Sequence, residues 1–299
     1  MKIPFVVRSM LLSAYIVFLP CAAGAISDVY EYQKGVSVIG SVTNYRTEEN
    51  ESLIELARKV DIGYNSITDA NPLLDPFDAD PDVQVVIPSA WILPDVESYN
   101  GIVINISELR LYYFTRQGNL RLVRIFPVGI GREEHDTPPG KYSVIQKIVN
   151  PAWHVPRSIR EEKPELPDVV PPGPDNPLGT HALRLSTGDI LIHGTNKPWG
   201  VGRKVSHGCI RLYPEDIIRL FPMVLAGTRV TIVRQPVKVG LRENRIYLEV
   251  HNDELDSDSD YLAIAQELLR KKGLLNNIDT EKLSLAVHER LGMPVDISE

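Results

Sequence analysis

The chain has little cysteine, little positive charge and no long apolar run. Its 299 residues include two cysteines, Cys21 and Cys209, and the 32 basic residues against 39 acidic ones give a net charge of -7. Nucleic-acid binding needs a basic surface, so this balance excludes a polyanionic partner. A membrane-spanning helix needs about 20 apolar residues in succession, and no segment supplies them. We therefore expect no integral membrane segment.

The N-terminus predicts an export signal. Lys2 and Arg8 supply its positive start, Met10 to Leu19 its apolar centre, and a small-residue cleavage site ends at about Ala25. Cleavage there would leave 274 residues with a net charge of -9, because Lys2 and Arg8 are lost. We expect the mature protein to lie in the periplasm.

Cys209 would then be the only thiol of the mature chain, which excludes a disulfide within it. An unpaired cysteine in an oxidising compartment is a liability unless its reactivity is used. The plainer alternative is that Cys209 is a buried small apolar residue. It lies in the segment Ser206 to Arg211, which combines a thiol, an imidazole, a glycine and a guanidinium. This mixture favours a nucleophile.

His193 is the predicted partner of that thiol. It ends the apolar strand Ile190 to His193, and Gly194 follows, so its ring can point away from the sheet end. The imidazole could deprotonate the thiol or stay charged beside the thiolate. Gly208 allows a tight turn, and its amide and that of Cys209 are candidates for the oxyanion hole. The alternative for His193 is a ring satisfied by the backbone.

The segment 40–90 predicts a small α+β unit. Helical patterns cover Glu49 to Lys59 and Ile62 to Asn71, and Val83 to Ile87 is a predicted strand. Strand, two helices, Asn-Pro and strand resemble LysM, a module that binds the glycan of cell walls. The alternative is a helical spacer that positions the next domain.

The segment 99–234 predicts a mainly β domain. Ile102 to Ile106 and Leu109 to Phe114 can pair as a hairpin, and Leu120 to Val128 continues the pattern. Residues 150–177 interrupt it with eight prolines, which argues against a ladder of backbone hydrogen bonds. We expect this insertion to form a stiff wall over the site with Trp153 as an apolar contact, or else to be an exposed insertion without a task.

The segment 235–299 predicts an α/β extension. A hairpin is expected from Val237 to Leu241 and Arg245 to Val250, followed by amphipathic helices over Tyr261 to Lys272 and Thr280 to Leu291. This extension carries no evident chemistry. It either packs on the catalytic domain or holds a protein acceptor.

The segment 99–234 resembles the L,D-transpeptidase catalytic domain, also called the YkuD domain. The likeness rests on His193 with Gly194, on Ser206 to Arg211, and on Thr137 to Tyr142. It implies that the domain is a β-sandwich or barrel with short helices. It also implies that the protein is exported and acts on peptidoglycan without a metal or an organic cofactor. The insertion and the tail are similar to those of the enterobacterial-type subgroup.

The resemblance also implies roles for individual residues. Cys209 would attack the carbonyl on the L-centre of diaminopimelate in a tetrapeptide stem and expel D-alanine, with His193 moving the proton. The Gly194 carbonyl would orient that ring, and His207 and Gly208 would shape the motif. His207 could instead transfer a proton itself. The remaining substrate-binding candidates are Arg211, Ser206 and Trp153. Arg211 could instead be a structural ion-pair partner.

The resemblance leaves the acceptor open. An amine would resolve the thioester, from either the terminal lysine of an outer-membrane lipoprotein or another diaminopimelate. With water as acceptor the chain would be a carboxypeptidase, and with an inert site it would be a cell-wall-binding protein.

A zinc site is the alternative use of the same side chains. The possible ligands are His181, His193, His207 and Cys209, but no pair of them has a common zinc spacing. We therefore expect no metal at this site. Three further histidines have no motif around them and are expected to be solvated: His135, His251 and His288.

Overall fold

The computed structural model describes residues 29–33, 35–78, 80–132, 135–187, 189–253 and 258–299. The predicted signal segment lies outside these ranges. In the described part, none of the helices is long and apolar enough to cross a membrane. The strands are β1 Val29–Glu31, β2 Val38–Gly40, β3 Thr43–Arg46, β4 Gln84–Ile87, β5 Ala90–Ile92, β6 Gly101–Asn105, β7 Arg110–Gln117, β8 Leu120–Pro127, β9 Ile130–Gly131, β10 Gly140–Val149, β11 Trp153–His154, β12 Val169–Val170, β13 His181–Leu185, β14 Leu191–His193, β15 Lys204–Ser206, β16 Ile210–Arg211, β17 Arg229–Val233, β18 Val237–Arg242, β19 Arg245–Val250 and β20 Val295–Asp296. The α-helices are α1 Leu53–Lys59, α2 Tyr64–Ala70, α3 Arg157–Glu162, α4 Pro214–Leu220, α5 Tyr261–Lys271 and α6 Thr280–Glu289.

A mixed, curled sheet dominates the structure. Its strands lie in the order β1-β8-β7-β6-β17-β10-β13-β14-β16. Every residue of β6 is buried, because Ile102 and Ile104 enter one apolar core and Val103 enters another on the opposite face. The β6–β7 hairpin predicted from sequence is present and antiparallel. The fold is mainly β, as predicted.

The segment 40–90 contains the predicted strand, two helices and strand. Strands β3 and β4 pair antiparallel, and the helices share a core with them. Helix α1 begins at Leu53 because Ser52 caps it and forms a reciprocal capping box with Glu55. The Asn71 side chain makes hydrogen bonds with both the N–H and the C=O of Val86, each at 2.8 Å, and so fixes the helix end to β4.

The extension packs on the sheet through buried charges. Lys238 Nζ lies 2.7 Å from the carboxylate of Glu108, and Arg110 Nη1 lies 2.8 Å from that of Glu249. His251 Nε2 is 2.8 Å from the same Glu249 carboxylate and is 1 % exposed, so the expectation that it is solvated was wrong. Each charge has a partner, which buried ions require.

The proline-rich insertion has more regular structure than its composition predicted. It contains helix α3, and β11 pairs with β12 over two residues. Asn176 is fully buried, and its side-chain amide donates to the carbonyls of Pro151, Val170 and Pro171. This single amide holds the two ends of the insertion together.

Candidate active site

Strand pairing brings the sequence-predicted site residues to one face of the sheet. Strands β14 and β16 are parallel neighbours, with Ile192 opposite Ile210 and His193 opposite Arg211. Side chains alternate along strands, so the two isoleucines face the core together. His193 and Arg211 therefore share the other face, and continuing the register by one residue places Cys209 there too.

His193 is held in one orientation by the backbone. It is 3 % exposed, and its Nδ1–H donates to the Gly194 carbonyl at 2.6 Å. A carbonyl can only accept, so Nδ1 carries the proton and Nε2 keeps its lone pair. Gly194 has no room for a side chain, since a Cβ would lie 2.9 Å from Ile217 Cγ2.

Burial keeps the imidazole neutral. It lowers the pKa of His193 to about 3, the Arg211 cation acts in the same direction, and backbone contacts with Gly194 and Leu178 oppose them in part. The ring is therefore a free base at neutral pH.

Cys209 is a neutral thiol in the same environment. It is half-buried, and Sγ lies 3.8 Å from the Asp189 carbonyl. Burial raises the pKa of Cys209, while a backbone hydrogen bond from Leu191 and the Arg211 cation partly lower it. The two shifts together favour a thiol beside a neutral imidazole over a standing thiolate–imidazolium pair.

The loop that carries Cys209 is fixed by two hydroxyl groups. Ser206 Oγ donates to the Cys209 carbonyl at 2.6 Å, and Ser206 is 1 % exposed. Thr137 Oγ1 donates to the Gly208 carbonyl at 3.1 Å and accepts from the Gly131 amide at 3.1 Å. The Ser206 hydroxyl is therefore enclosed and already paired within the protein, and the substrate contact expected of it stays a prediction.

Gly208 is needed for its backbone conformation. Its φ is +93°, in the left-handed region that favours glycine. A Cβ there would meet only ordinary contacts, the nearest at 3.6 Å. In the described part of the chain, the amides of Gly208 and Cys209 have no acceptor. Both remain available to an oxyanion.

Arg211 has an unsatisfied guanidinium group. Its Nε is buried without a hydrogen-bond partner, and among the described residues it forms no ion pair. The structural ion pair weighed from sequence is thus not seen there. A guanidinium in this condition suits a carboxylate ligand.

The insertion borders this site at two points. Leu178, which directly follows the insertion, makes the backbone contact with His193, and α3 places Glu162 Oε2 3.4 Å from His207 Nε2. Trp153 is half-buried in the β11–β12 pair. The segment thus forms one side of the site, and Glu162 is a neighbour that sequence patterns did not indicate.

The four side chains weighed as alternative zinc ligands do not form a metal-binding group among the residues that the structure describes. His181 packs its ring on Phe221, with centroids 4.6 Å apart. The described side chains that could together hold a metal ion are two other groups, Glu108 with Glu249 and His251, and His135 with Glu162 and His207.

Comparison with known proteins gives concordant matches. The model of the L,D-transpeptidase catalytic domain, YkuD, matches residues 99–232. Probable L,D-transpeptidase YcfS of Escherichia coli is 38 % identical over 88 % of this chain and 86 % of its own. Probable L,D-transpeptidase ErfK/SrfK of Salmonella typhimurium is 34 % identical over 89 % of each chain. The solved catalytic domain of an E. faecium L,D-transpeptidase aligns with 47 % of this chain and all of its own, at 20 % identity and a TM-score of 0.36.

Proposed function

The chain belongs to the L,D-transpeptidase family, and from this premise we propose that it transfers acyl groups of peptidoglycan tetrapeptide stems through a Cys209 thioester. The matched domain, residues 99–232, contains both Cys209 and His193. The family makes the chain a cysteine-dependent acyltransferase. The roles of single residues below are our proposal.

In the first half-reaction Cys209 Sγ attacks the carbonyl carbon on the L-centre of diaminopimelate. His193 Nε2 takes the thiol proton as the C–S bond forms, and the carbonyl electrons move onto oxygen. When the tetrahedral intermediate collapses, the bond to the D-alanine nitrogen breaks, and His193 returns the proton to that leaving amine. The products are a thioester and free D-alanine.

Two groups support charge in this step. The free amides of Gly208 and Cys209 are donors for the oxyanion, which preorganised backbone N–H groups stabilise strongly. The unsatisfied Arg211 guanidinium is the candidate anchor for a stem carboxylate. Removal of the Arg211 charge should therefore weaken stem binding and also raise the pKa of His193.

In the second half-reaction an amine attacks the thioester carbonyl. His193 Nε2 accepts the proton lost by the attacking amine and gives it to the departing sulfur as the C–S bond breaks, which regenerates the thiol. The acceptor amine is either the terminal lysine of a murein-linked lipoprotein or a diaminopimelate of another stem. The first forms a lipoprotein link and the second a 3-3 cross-link.

The observation that carries the proposal is the 2.6 Å hydrogen bond from His193 Nδ1 to Gly194 O. It leaves Nε2 as the only basic nitrogen, on the sheet face that Cys209 shares. The alternative, in which the backbone hydrogen bond is the only role of His193, does not account for the half-buried thiol of Cys209 on the same face.

The test is incubation of purified protein with tetrapeptide muropeptides, with and without a lysine-ended lipoprotein peptide. Mass spectrometry should find cross-linked or peptide-bearing stems, and the Cys209→Ala variant should give neither. Tripeptides alone would identify a hydrolase, and unchanged tetrapeptides with a folded protein would refute the proposal.

We also propose that residues 1–25 direct export to the periplasm and that residues 40–90 form a LysM-like glycan-binding module. The support is the charge and apolar pattern of the N-terminus and the strand, two-helix, strand order. N-terminal sequencing of the protein from a periplasmic fraction should start near residue 26. Deletion of residues 40–90 should weaken sedimentation with purified cell walls, and unchanged sedimentation would favour the spacer alternative.

A further inference from the structure

Three metal-binding side chains meet next to the Cys209 loop. His135 follows β9, Glu162 ends α3 of the insertion, and His207 lies two residues before Cys209. Their ligand atoms all lie within 4.8 Å of one another. Three segments that are distant in sequence thus point nitrogen and oxygen atoms at one place.

The distances are close to those of a coordination shell. His207 Nε2 lies 3.4 Å from Glu162 Oε2, and His135 Nε2 lies 3.7 Å from Glu162 Oε1. Tetrahedral zinc with ligands at about 2.0–2.2 Å holds them about 3.3–3.6 Å apart. The two imidazole rings are neighbours, with centroids 4.8 Å apart. Small side-chain rotations would therefore complete the set.

The donor types suit zinc rather than magnesium or calcium. Two imidazoles and one carboxylate form a set that zinc uses when it keeps an open position, whereas the hard cations prefer oxygen atoms alone.

Arg132 limits the affinity of this cluster. Its Nη2 lies 2.7 Å from Glu162 Oε1, which leaves Oε2 facing His207. The arginine cation repels a metal ion and competes for the carboxylate. The other group of three, Glu108 with Glu249 and His251, is already neutralised by the cations of Arg110 and Lys238.

We propose that His135, Glu162 and His207 bind one zinc ion, which ties α3 of the insertion to the loop before Cys209. The ion would hold the insertion against the site and fix His207, whose neighbour Gly208 supplies a candidate oxyanion amide. Binding would therefore rigidify both the insertion and the loop.

The test measures zinc binding directly, in a Cys209→Ala background so that the thiol contributes nothing. Calorimetry near pH 7 should give one zinc per chain. His135→Gln and Glu162→Gln should each weaken binding more than about tenfold, since even partners of ligands matter that much. Arg132→Gln should tighten binding. His154→Gln, an exposed histidine on the same insertion, is the matched control and should change nothing.

Hydrogen exchange gives a second readout. Zinc should slow exchange of the α3 amides in the Cys209→Ala protein and leave them unchanged in its His135→Gln derivative. No binding at about 0.1 mM zinc, or equal affinity in the Cys209→Ala protein with and without His135→Gln, would overturn the proposal and leave the cluster as a polar contact only.

Discussion

The pH dependence of acylation tests whether the site works from a neutral pair. A histidine with the ordinary pKa of about 6.5 is mostly protonated at pH 5, and a reaction that needs its free base loses about 30-fold there. The pKa of His193 is lowered to about 3 by burial and Arg211. At pH 5 the ring is then still the free base, and acylation should be within about twofold of its rate at pH 7.

The assay is single-turnover acylation of Cys209 by a carbapenem, followed by mass spectrometry from pH 4 to pH 9. Alkylation by iodoacetamide, read in parallel, reports the thiolate. Because burial raises the pKa of Cys209, the alkylation rate should still be rising at pH 9.

The matched variants are Arg211→Gln and Arg211→Lys. Loss of the cation should raise the pKa of His193 and move the acid limb of the profile to higher pH, whereas lysine should keep it low. The position of the limb is compared, so a loss of substrate affinity does not affect the result. A wild-type acid limb near pH 6.5, or fast alkylation that has levelled off by pH 7, would refute the neutral pair and favour a standing ion pair.

Three further predictions concern the scaffold of the site. Thr137→Val removes the bridge between the Gly208 carbonyl and the Gly131 amide, so urea denaturation should show a loss of about 1–3 kcal/mol, and an unchanged midpoint would count against the bridge. Gly208→Ala should cost about 1–2 kcal/mol by forcing a side chain into positive φ and should slow acylation, and a normal rate would show that the turn is not needed. Lys238→Met strips a buried cation from Glu108 and should cost about 3–5 kcal/mol by thermal denaturation. The control for this change is Lys141→Met, whose exposed pair is worth less than about 1 kcal/mol, and equal effects of the two would contradict the assignment.

Local patterns predicted the strands and the helices well. Short apolar or alternating runs identified β6 and β7, and the apolar run ending at His193 identified β14, because each of these signals lies within a few residues of the chain. The starts of α5 and α6 were predicted to the residue, whereas those of α1 and α2 were less accurate. Helix α1 begins at Leu53 and not at Glu49, since its start is set by the capping box, in which Ser52 Oγ accepts from the Glu55 amide and the Glu55 carboxylate accepts from the Ser52 amide.

The proposed chemistry could be inferred from sequence because it is concentrated in two short segments. The motif around Cys209 and the pair His193-Gly194 can be recognised directly in the amino-acid sequence. Their shared face depends on the register of β14 with β16, which sequence spacing alone cannot give.

Contacts between segments that are far apart in the chain could not be predicted from the sequence. The pairing of Glu162 with His207 spans 45 residues, and no periodic pattern links them. His251 was expected in solvent because no motif surrounds it. Its carboxylate partner Glu249 is itself buried by the sheet.

The buried charges that join the extension to the sheet limit where the chain can be truncated. A chain cut at residue 234 would keep Glu108 and Arg110 but lose Lys238 and Glu249. The side chains of Glu108 and Arg110, which are buried in the full chain, would then be exposed to solvent. The apolar strand residues that the extension covers would be exposed with them. We therefore expect a piece that ends at residue 234 to be less stable than one that includes the extension, although both hold the thiol and the imidazole.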